Sequence, residues 1–456
     1  MRLEEKTEAK SAAQAQISAS KAYGQLTKLF DEGVFTELDA FVKSKDGYAE
    51  VITAHGSVEG IGVYAFAQNI DAAGGAMSVA QASKLKRLYD LALKTGEPVI
   101  GMYDSVGGRL EEGADMLASY GDILKYTNNL SGVVPQISVI LGKCYGTQAL
   151  IAVGADFVVM SEKASFSLET DGSGADPEEN AKKGIAHILA KDEDEAIAQT
   201  KMLVSILPSN NLSAACIAYD SISEQAAVES GMTAREAAFA VADCDSLIEL
   251  QKEHGKAAST ALATFNGTTA GIVVLEGKEL DGKSCAKAAR FIRFCDAFSI
   301  PVVSFVNAQK FACLRGAAKL TAAYAEATTA KVTMITGEAY GAVYIAAAGT
   351  GAAADLTYAW TGATVSALNP EAAAVIALGD DLGGKLKGSK NPVEDRAAVI
   401  TAFKESELTA MKAAEKGYID ALTDAEETRT VLVSALDMLC NKRVSTLPKK
   451  HNNLFV

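Results

Sequence analysis

Histidine and tryptophan are nearly missing from this 456-residue chain, which has four of the first and one of the second. His55, His187, His254 and His451 stand apart from one another, so neither a zinc site nor a serine-hydrolase triad has enough to build on. Cysteine is sparse as well. The seven, at 144, 216, 244, 285, 295, 313 and 440, form no CxxC pair and no cluster; that pattern fits a reducing compartment and argues against a disulfide framework. Positive charge is in deficit: 43 Lys and Arg against 57 Asp and Glu leave a net charge of −14, without the basic footprint that nucleic acid requires. No run of about 18 apolar residues exists, the stretch 339–354 being rich in Ala and Gly and ending at Asp355. The first thirty residues lack the apolar centre of a signal peptide. The expectation is a cytoplasmic protein with no nucleic-acid partner, whose chemistry is led neither by histidine nor by a metal.

What the chain does have is a second copy of itself. Residues 83–105, SKLKRLYDLALKTGEPVIGMYDS, and 286–308, AKAARFIRFCDAFSIPVVSFVNA, share one layout. Each reads as an amphipathic helix, a break just ahead of a proline (Pro98, Pro301) and a short apolar strand, 99–103 or 302–306. Ser78 with Gln81 gives the first helix a capping-box start, and Gly96 gives it a stop. Farther on, Gly142-Lys-Cys-Tyr145-Gly146 follows QISVIL, and Gly337-Glu-Ala-Tyr340-Gly341 follows KVTMIT. An Ala-rich helical stretch and another strand, 157–160 or 356–360, come after each. Length alone suggests about three domains. The repeat reduces this to two homologous α/β lobes, 1–245 and 246–456, with a helical connecting region between about Pro177 and Lys256. Within it DEDEAIAQTKMLVSIL reads as one helix ended by Pro208, a linker or lid.

A strand that feeds a small-residue turn and then a helix leaves backbone N–H groups unpaired at the helix start. Such a turn can hold an oxyanion, including a thioester enolate, with no titrating side chain. The alternative is that Gly146 and Gly341 merely permit close packing of helix on strand. Gly349-Thr-Gly351-Ala-Ala-Ala354 has the outline of a dinucleotide fingerprint. That motif needs a strand before it and a helix after it, whereas the preceding VYIAAA favours helix. No GxxxxGK[ST] phosphate loop is present. Ala410-Met-Lys412-Ala413 faintly matches the AMKM on which biotin is carried, but it lies in a charged helical pattern, so Lys412 reads as an exposed helix residue.

These stretches resemble the carboxyltransferase (β) subunits of biotin-dependent acyl-CoA carboxylases, a family that includes propionyl-CoA carboxylase and the α subunit of methylmalonyl-CoA decarboxylases. The likeness is carried by LFDEGVFTELDAFV (29–42), VYAFAQNIDAAGGAMS (63–78), LALKTGEPVIGMYDSVGGRLEEG (91–113), KAARFIRFCDAFSIPVVSFV (287–306) and AYAEATTAKVTMITGEAYGAVY (323–344). It implies two crotonase-like lobes and transfer of a carboxyl group between biotin N1 and the α-carbon of a short acyl-CoA. The resemblance assigns the enolate oxyanion hole to Gly146 and Thr147 and the biotin ureido site to Ala342 and Val343, beside Tyr340 and Gly341. Gly107, Gly108 and Arg109 fall where the family binds acyl-CoA; Arg109 is read either as a phosphate ligand or as the ion-pair partner of Glu111 or Glu112. Tyr145 and Tyr340 read as packing residues.

The resemblance further implies biotin on a separate carrier protein, a homo-oligomer (a hexamer), and a biotin carboxylase or membrane decarboxylase subunits as partners, the latter holding the chain at a membrane periphery. Departures from the family pattern collect around the turns. Thr147 and Ala342 replace the second glycines, Val106 the first glycine of DSGGAR, Asn307 an aspartate and Ile345 a position that often carries Asp. The loops after Asn307, after DFVVM and after NNLS are short. Three readings stay open: a carboxyltransferase subunit, a non-catalytic assembly subunit of the same complex, and a crotonase-like acyl-CoA enzyme without biotin.

Overall fold

The computed structural model describes residues 3–45, 47–213, 226–379, 381–382, 390–444 and 448–449. The chain forms two compact units, Met1–Cys216 and Ile217–Val456. The segment after NNLS and the last tail residues, His451 among them, lie outside the described residues.

The first unit runs α1 (Leu3–Ser18), α2 (Lys21–Leu29), β1 (Phe35–Leu38), a small hairpin of β2 (Lys43–Ser44) and β3 (Gly47–Tyr48), β4 (Val51–Val58), β5 (Ile61–Gln68), α3 (Val79–Thr95), β6 (Val99–Ser105), α4 (Ala114–Leu130) and β7 (Gln136–Tyr145). It continues with α5 (Thr147–Val153), β8 (Phe157–Ser161), β9 (Ser165–Ser167), α6 (Pro177–Lys183), β10 (Ile188–Ala190) and α7 (Glu193–Ile206). Its sheet has the order β1-β4-β5-β6-β7-β8-β10, with β9 paired to β7. The pairs β1/β4 and β4/β5 are antiparallel and the others parallel. Parallel strands must be covered on both faces, and β6 and β8 are accordingly buried along their whole length.

The second unit repeats this strand for strand. It contains α8 (Ala234–Ala240), β11 (Ile248–Leu250), β12 (Ala258–Phe265), β13 (Thr268–Leu280), α9 (Gly282–Ala297), β14 (Val302–Phe311), α10 (Leu314–Glu326), β15 (Lys331–Tyr340), α11 (Ala342–Ala347), β16 (Leu356–Trp360), β17 (Thr364–Ser366), α12 (Pro370–Leu378) and β18 (Ala421–Thr423). The order is β11-β12-β13-β14-β15-β16-β18 with β17 on β15, and again the first two pairs are antiparallel and the rest parallel.

The repeated helices form for the reasons read from the sequence. Ser78 Oγ accepts the Gln81 N–H at 3.1 Å, and Gly96 closes α3 in the left-handed region at φ 71°. Only half of the capping box forms, because the Gln81 side chain makes no hydrogen bond among the described residues and the Ser78 hydroxyl donates to Glu50 Oε2. Leu85, Leu88 and Tyr89 of α3 bury against Phe66 and Tyr103. In the second unit Ile272, Val274, Phe305 and Met334 are buried in a core with Ala234, Ala237 and Ala238 of α8.

Two expectations need correcting. α7 is no linker or lid: its Leu203 and Val204 are buried, and it packs on β7, β8 and β10 within the first unit. The division between the units falls at 216/217 and not at 245/246, because Ala234, Ala237 and Ala238 of α8 are buried in the second core. The GxGxxA stretch lies after helix α11 and before strand β16, the reverse of the order a dinucleotide site requires. Lys412 is an exposed residue of a short helix, Ala410–Ala414, 3.4 Å from Glu407. Among the described residues no helix is long and apolar enough to cross a membrane.

Candidate active site

Both repeated motifs end a central parallel strand and start a helix. Tyr145 is the last residue of β7, Gly146 is the N-cap of α5 (φ 65°, ψ −141°), and Thr147 is its first helical residue. Tyr340, Gly341 (φ 47°, ψ −116°) and Ala342 stand in the same relation to β15 and α11. Side-chain-bearing residues avoid this backbone region, which accounts for the glycine at both places.

The amides divide differently from the expectation. Gly146 N–H donates to the Ser167 carbonyl at 3.1 Å, and Gly341 N–H to the Ser366 carbonyl at 2.8 Å. Gly146 is therefore corrected: its donor is already spent within the protein, and the glycine supplies the turn only. The signal was present in the sequence as the short SFS and TVS strands, but their pairing to β7 and β15 is a tertiary fact. The N–H groups of Thr147 and Gln148, and of Ala342, Val343 and Tyr344, are the opening donors of their helices and make no hydrogen bond among the described residues. Gln148 and Tyr344 were not anticipated.

Gly107 and Gly108 leave β6 at the same sheet end, since Ser105 is in register with Cys144 on the adjacent β7. In parallel α/β sheets ligands gather at the carboxyl ends of the strands. Gly107 N–H is held by Ser105 Oγ at 3.1 Å, and the loop is laced to the segment before α3 by Met77 N–H on the Gly107 carbonyl and Arg109 N–H on the Met77 carbonyl, both 2.8 Å. Behind Gly108 lie Met116 and Tyr120, so close that a Cβ would overlap the Met116 sulfur.

Arg109 has a partner that its neighbours in sequence do not suggest. Its guanidinium forms an ion pair with Glu50, and both side chains are buried. Glu112 instead accepts the Val79 N–H at 2.7 Å. A guanidinium committed to a buried carboxylate favours the structural role over that of a phosphate ligand. Arg109 and Lys84 also border a cavity of about 360 Å³ together with Asn69, Asp71 and Ala73.

Tyr340 is buried, and burial together with the neighbouring Glu338 carboxylate pushes its phenol pKa well up. Its ring is packed at the end of β15. Cys144, inside the first motif, is fully buried and its thiol pKa is likewise raised by desolvation, so it is no nucleophile. His55 pairs with Glu97 at 2.9 Å and His187 accepts the Val158 N–H at 3.1 Å, both structural. What each unit offers chemically is a set of main-chain donors beside small residues. Apolar side chains stand exposed near both: Leu150 and Leu168 around α5, with an apolar recess of about 290 Å³, and Ile345 on α11.

A carboxyl transferase domain model matches residues 21–454. The chain is 34% identical to methylmalonyl-CoA decarboxylase subunit alpha of Veillonella parvula, over 99% of this chain and 95% of that protein. It is 31% identical to the propionyl-CoA carboxylase beta chain of Saccharopolyspora erythraea, over 94% and 89%. Among solved structures it is similar to transcarboxylase 12S, described as a hexamer assembly with hydrolysed methylmalonyl-coenzyme A bound, at a TM-score of 0.90 and 28% identity over 99% of both chains. The two α/β lobes thus have the crotonase-like design.

Proposed function

The chain belongs to the carboxyl transferase domain family, and on that premise we propose that it moves a carboxyl group between carrier-held biotin and the α-carbon of a short acyl-CoA, as the carboxyltransferase subunit of an acyl-CoA carboxylase or decarboxylase. The observation that carries this reading is the duplicated set of free amides at Thr147–Gln148 and Ala342–Val343, one per lobe. The reaction develops negative charge on two oxygens, the thioester oxygen of the enolate and the ureido oxygen of biotin. Main-chain donors fixed at those places stabilise both without a protein general base, which suits a chain so poor in histidine.

We place the thioester in the first lobe, against Thr147 and beside Gly107–Gly108, and biotin in the second, against Ala342 and Val343. The residues fit biotin through polarity alone: unpaired N–H donors for its ureido oxygen and small side chains at the turn. Bound biotin supplies the carboxyl carrier; the chain's own part is to orient both oxygens and hold their charge. Propionyl- or methylmalonyl-CoA is the substrate class favoured by the relatives. A second copy of the chain is the partner favoured by the exposed apolar residues at both turns.

Proline at the first helical position keeps the helix and removes only the N–H. Thr147→Pro and Ala342→Pro should therefore each lower kcat for methylmalonyl-CoA decarboxylation in the presence of free biotin by about 10²–10³-fold, while Thr147→Ala, which keeps the amide, loses far less. Full turnover in both proline variants would remove the proposal, and a folded wild-type protein inert on every short acyl-CoA would favour the assembly-subunit reading.

A further inference from the structure

Each lobe carries the same irregularity one strand away from its donor turn. On β6, Tyr103 is in register with Ile140 and Ser105 with Cys144, so Asp104 alone faces Leu141, Gly142 and Lys143 of β7. On β14, Val306 is in register with Ile335 and Ala308 with Ala339, so Asn307 alone faces Thr336, Gly337 and Glu338 of β15. A bulge of this kind leaves a strand N–H without its ladder partner. In both lobes a side chain fills the gap: Asp104 Oδ1 accepts the Lys143 N–H at 3.1 Å, and Asn307 Oδ1 accepts the Glu338 N–H at 3.0 Å.

The glycines Gly142 and Gly337 make room for it. A Cβ would lie 2.0 Å from Asp104 Oδ1 at the first and 2.3 Å from Asn307 Oδ1 at the second. Asp104 is buried and is further held by Lys21 Nζ at 3.0 Å and, through its own N–H, by Gln68 Oε1 at 3.2 Å. Three residues beyond the capped amide, just past the strand, stands Gly146 or Gly341, whose N–H is fastened to β9 or β17 on the other side. The last residues of β7 and β15 are thus clamped from two sides, one clamp being a single side-chain oxygen.

From this geometry we infer that Asp104 and Asn307 are equivalent positioning residues, each setting by its Oδ1 the course of the strand end that delivers a donor turn. Neither touches substrate. The inference rests on the proposed function only for its link to turnover. It also accounts for an aspartate and an asparagine serving one role: the shared requirement is an acceptor oxygen, and the charge of Asp104 is met separately by Lys21.

The test uses the full chain and four variants. Asp104→Ala and Asn307→Ala should each speed amide hydrogen exchange at least tenfold in the strand end and turn of their own lobe, 143–148 or 338–343, and leave the other lobe unchanged. In methylmalonyl-CoA decarboxylation with free biotin, each should lower kcat about 10²-fold, the loss expected from a misplaced donor, with KM for the acyl-CoA altered less than threefold. Asp104→Asn and Asn307→Asp, which keep the acceptor, should recover both readouts to within a few-fold. Unchanged exchange in both alanine variants overturns the inference. So does an Asp104→Asn variant as impaired as Asp104→Ala, which would assign the effect to the Lys21 ion pair. If the wild type turns over no acyl-CoA, the carboxyltransferase reading fails, and the exchange measurements still decide the positioning role.

Discussion

At the scale of single residues, types and turns were legible while partners were not. The two glycine turns are visible in the spacing of the motif, and only glycine sits comfortably where a positive φ is combined with ψ −141° or −116°. The commitment of the Gly146 amide to Ser167 could not be read, since it depends on a three-residue strand returning to β7. Arg109 illustrates the same limit. Local reasoning offers Glu111 and Glu112, and the fold delivers Glu50, which also accepts the Ser78 hydroxyl. The distinction has a measurable consequence. Breaking a buried pair from one side strands a charge and costs about 3–5 kcal/mol. Arg109→Ala should therefore lower the urea-unfolding free energy by that amount, with acyl-CoA affinity falling no more than the loss of folded protein explains. A stable variant with selectively weakened CoA binding would restore the phosphate-ligand role.

At the scale of elements, the repeat extends to buried charge. Lys84 on α3 and Lys287 on α9 occupy matching places, and each is buried with its ammonium on main-chain carbonyls: Val51 for the first, Gln251, His254 and Ala258 for the second. Burial pulls both pKa values from 10.5 down to about 8. The sign then follows from proton counting. Between about pH 8 and 10.5 the unfolded chain still binds these protons and the folded chain does not, so folding stability rises with pH across that window. Below pH 8 both states are protonated and the cost of burying the charge is borne in full. Compared with a Lys84→Met, Lys287→Met double variant, the wild type should gain on the order of 2–5 kcal/mol in unfolding free energy between pH 8 and 10. Parallel pH profiles for the two proteins would show that these lysines are not desolvated. Helix α7 makes the complementary point about legibility. Its boundaries and its proline stop were visible, but a mixed apolar and acidic surface does not reveal which sheet it will cover.

At the scale of the whole molecule, the duplication was the strongest signal and the structure extends it to identical strand order, pairing sense and bulge in both sheets. One lobe design supplies one donor set, and a reaction with two developing oxyanions calls for two. Each unit also leaves apolar side chains uncovered. Leu168 follows β9 and is 64% exposed; Ile345 on α11 and Ile376 on α12 are 60% and 71% exposed. Scattered apolar residues at a surface are ordinary, but clusters beside functional turns mark contact sites. If these faces are covered by further copies of the chain, sedimentation equilibrium at micromolar concentration should give a mass near six times 47.5 kDa. A charge placed at the centre of such a contact is desolvated without a partner and costs several kcal/mol. Leu168→Glu and Ile376→Glu should then each shift the distribution toward smaller species, with far-ultraviolet circular dichroism unchanged. A wild-type chain that sediments at 47.5 kDa across the concentration range would leave those side chains facing water and would require the two donor sets to act without a second copy.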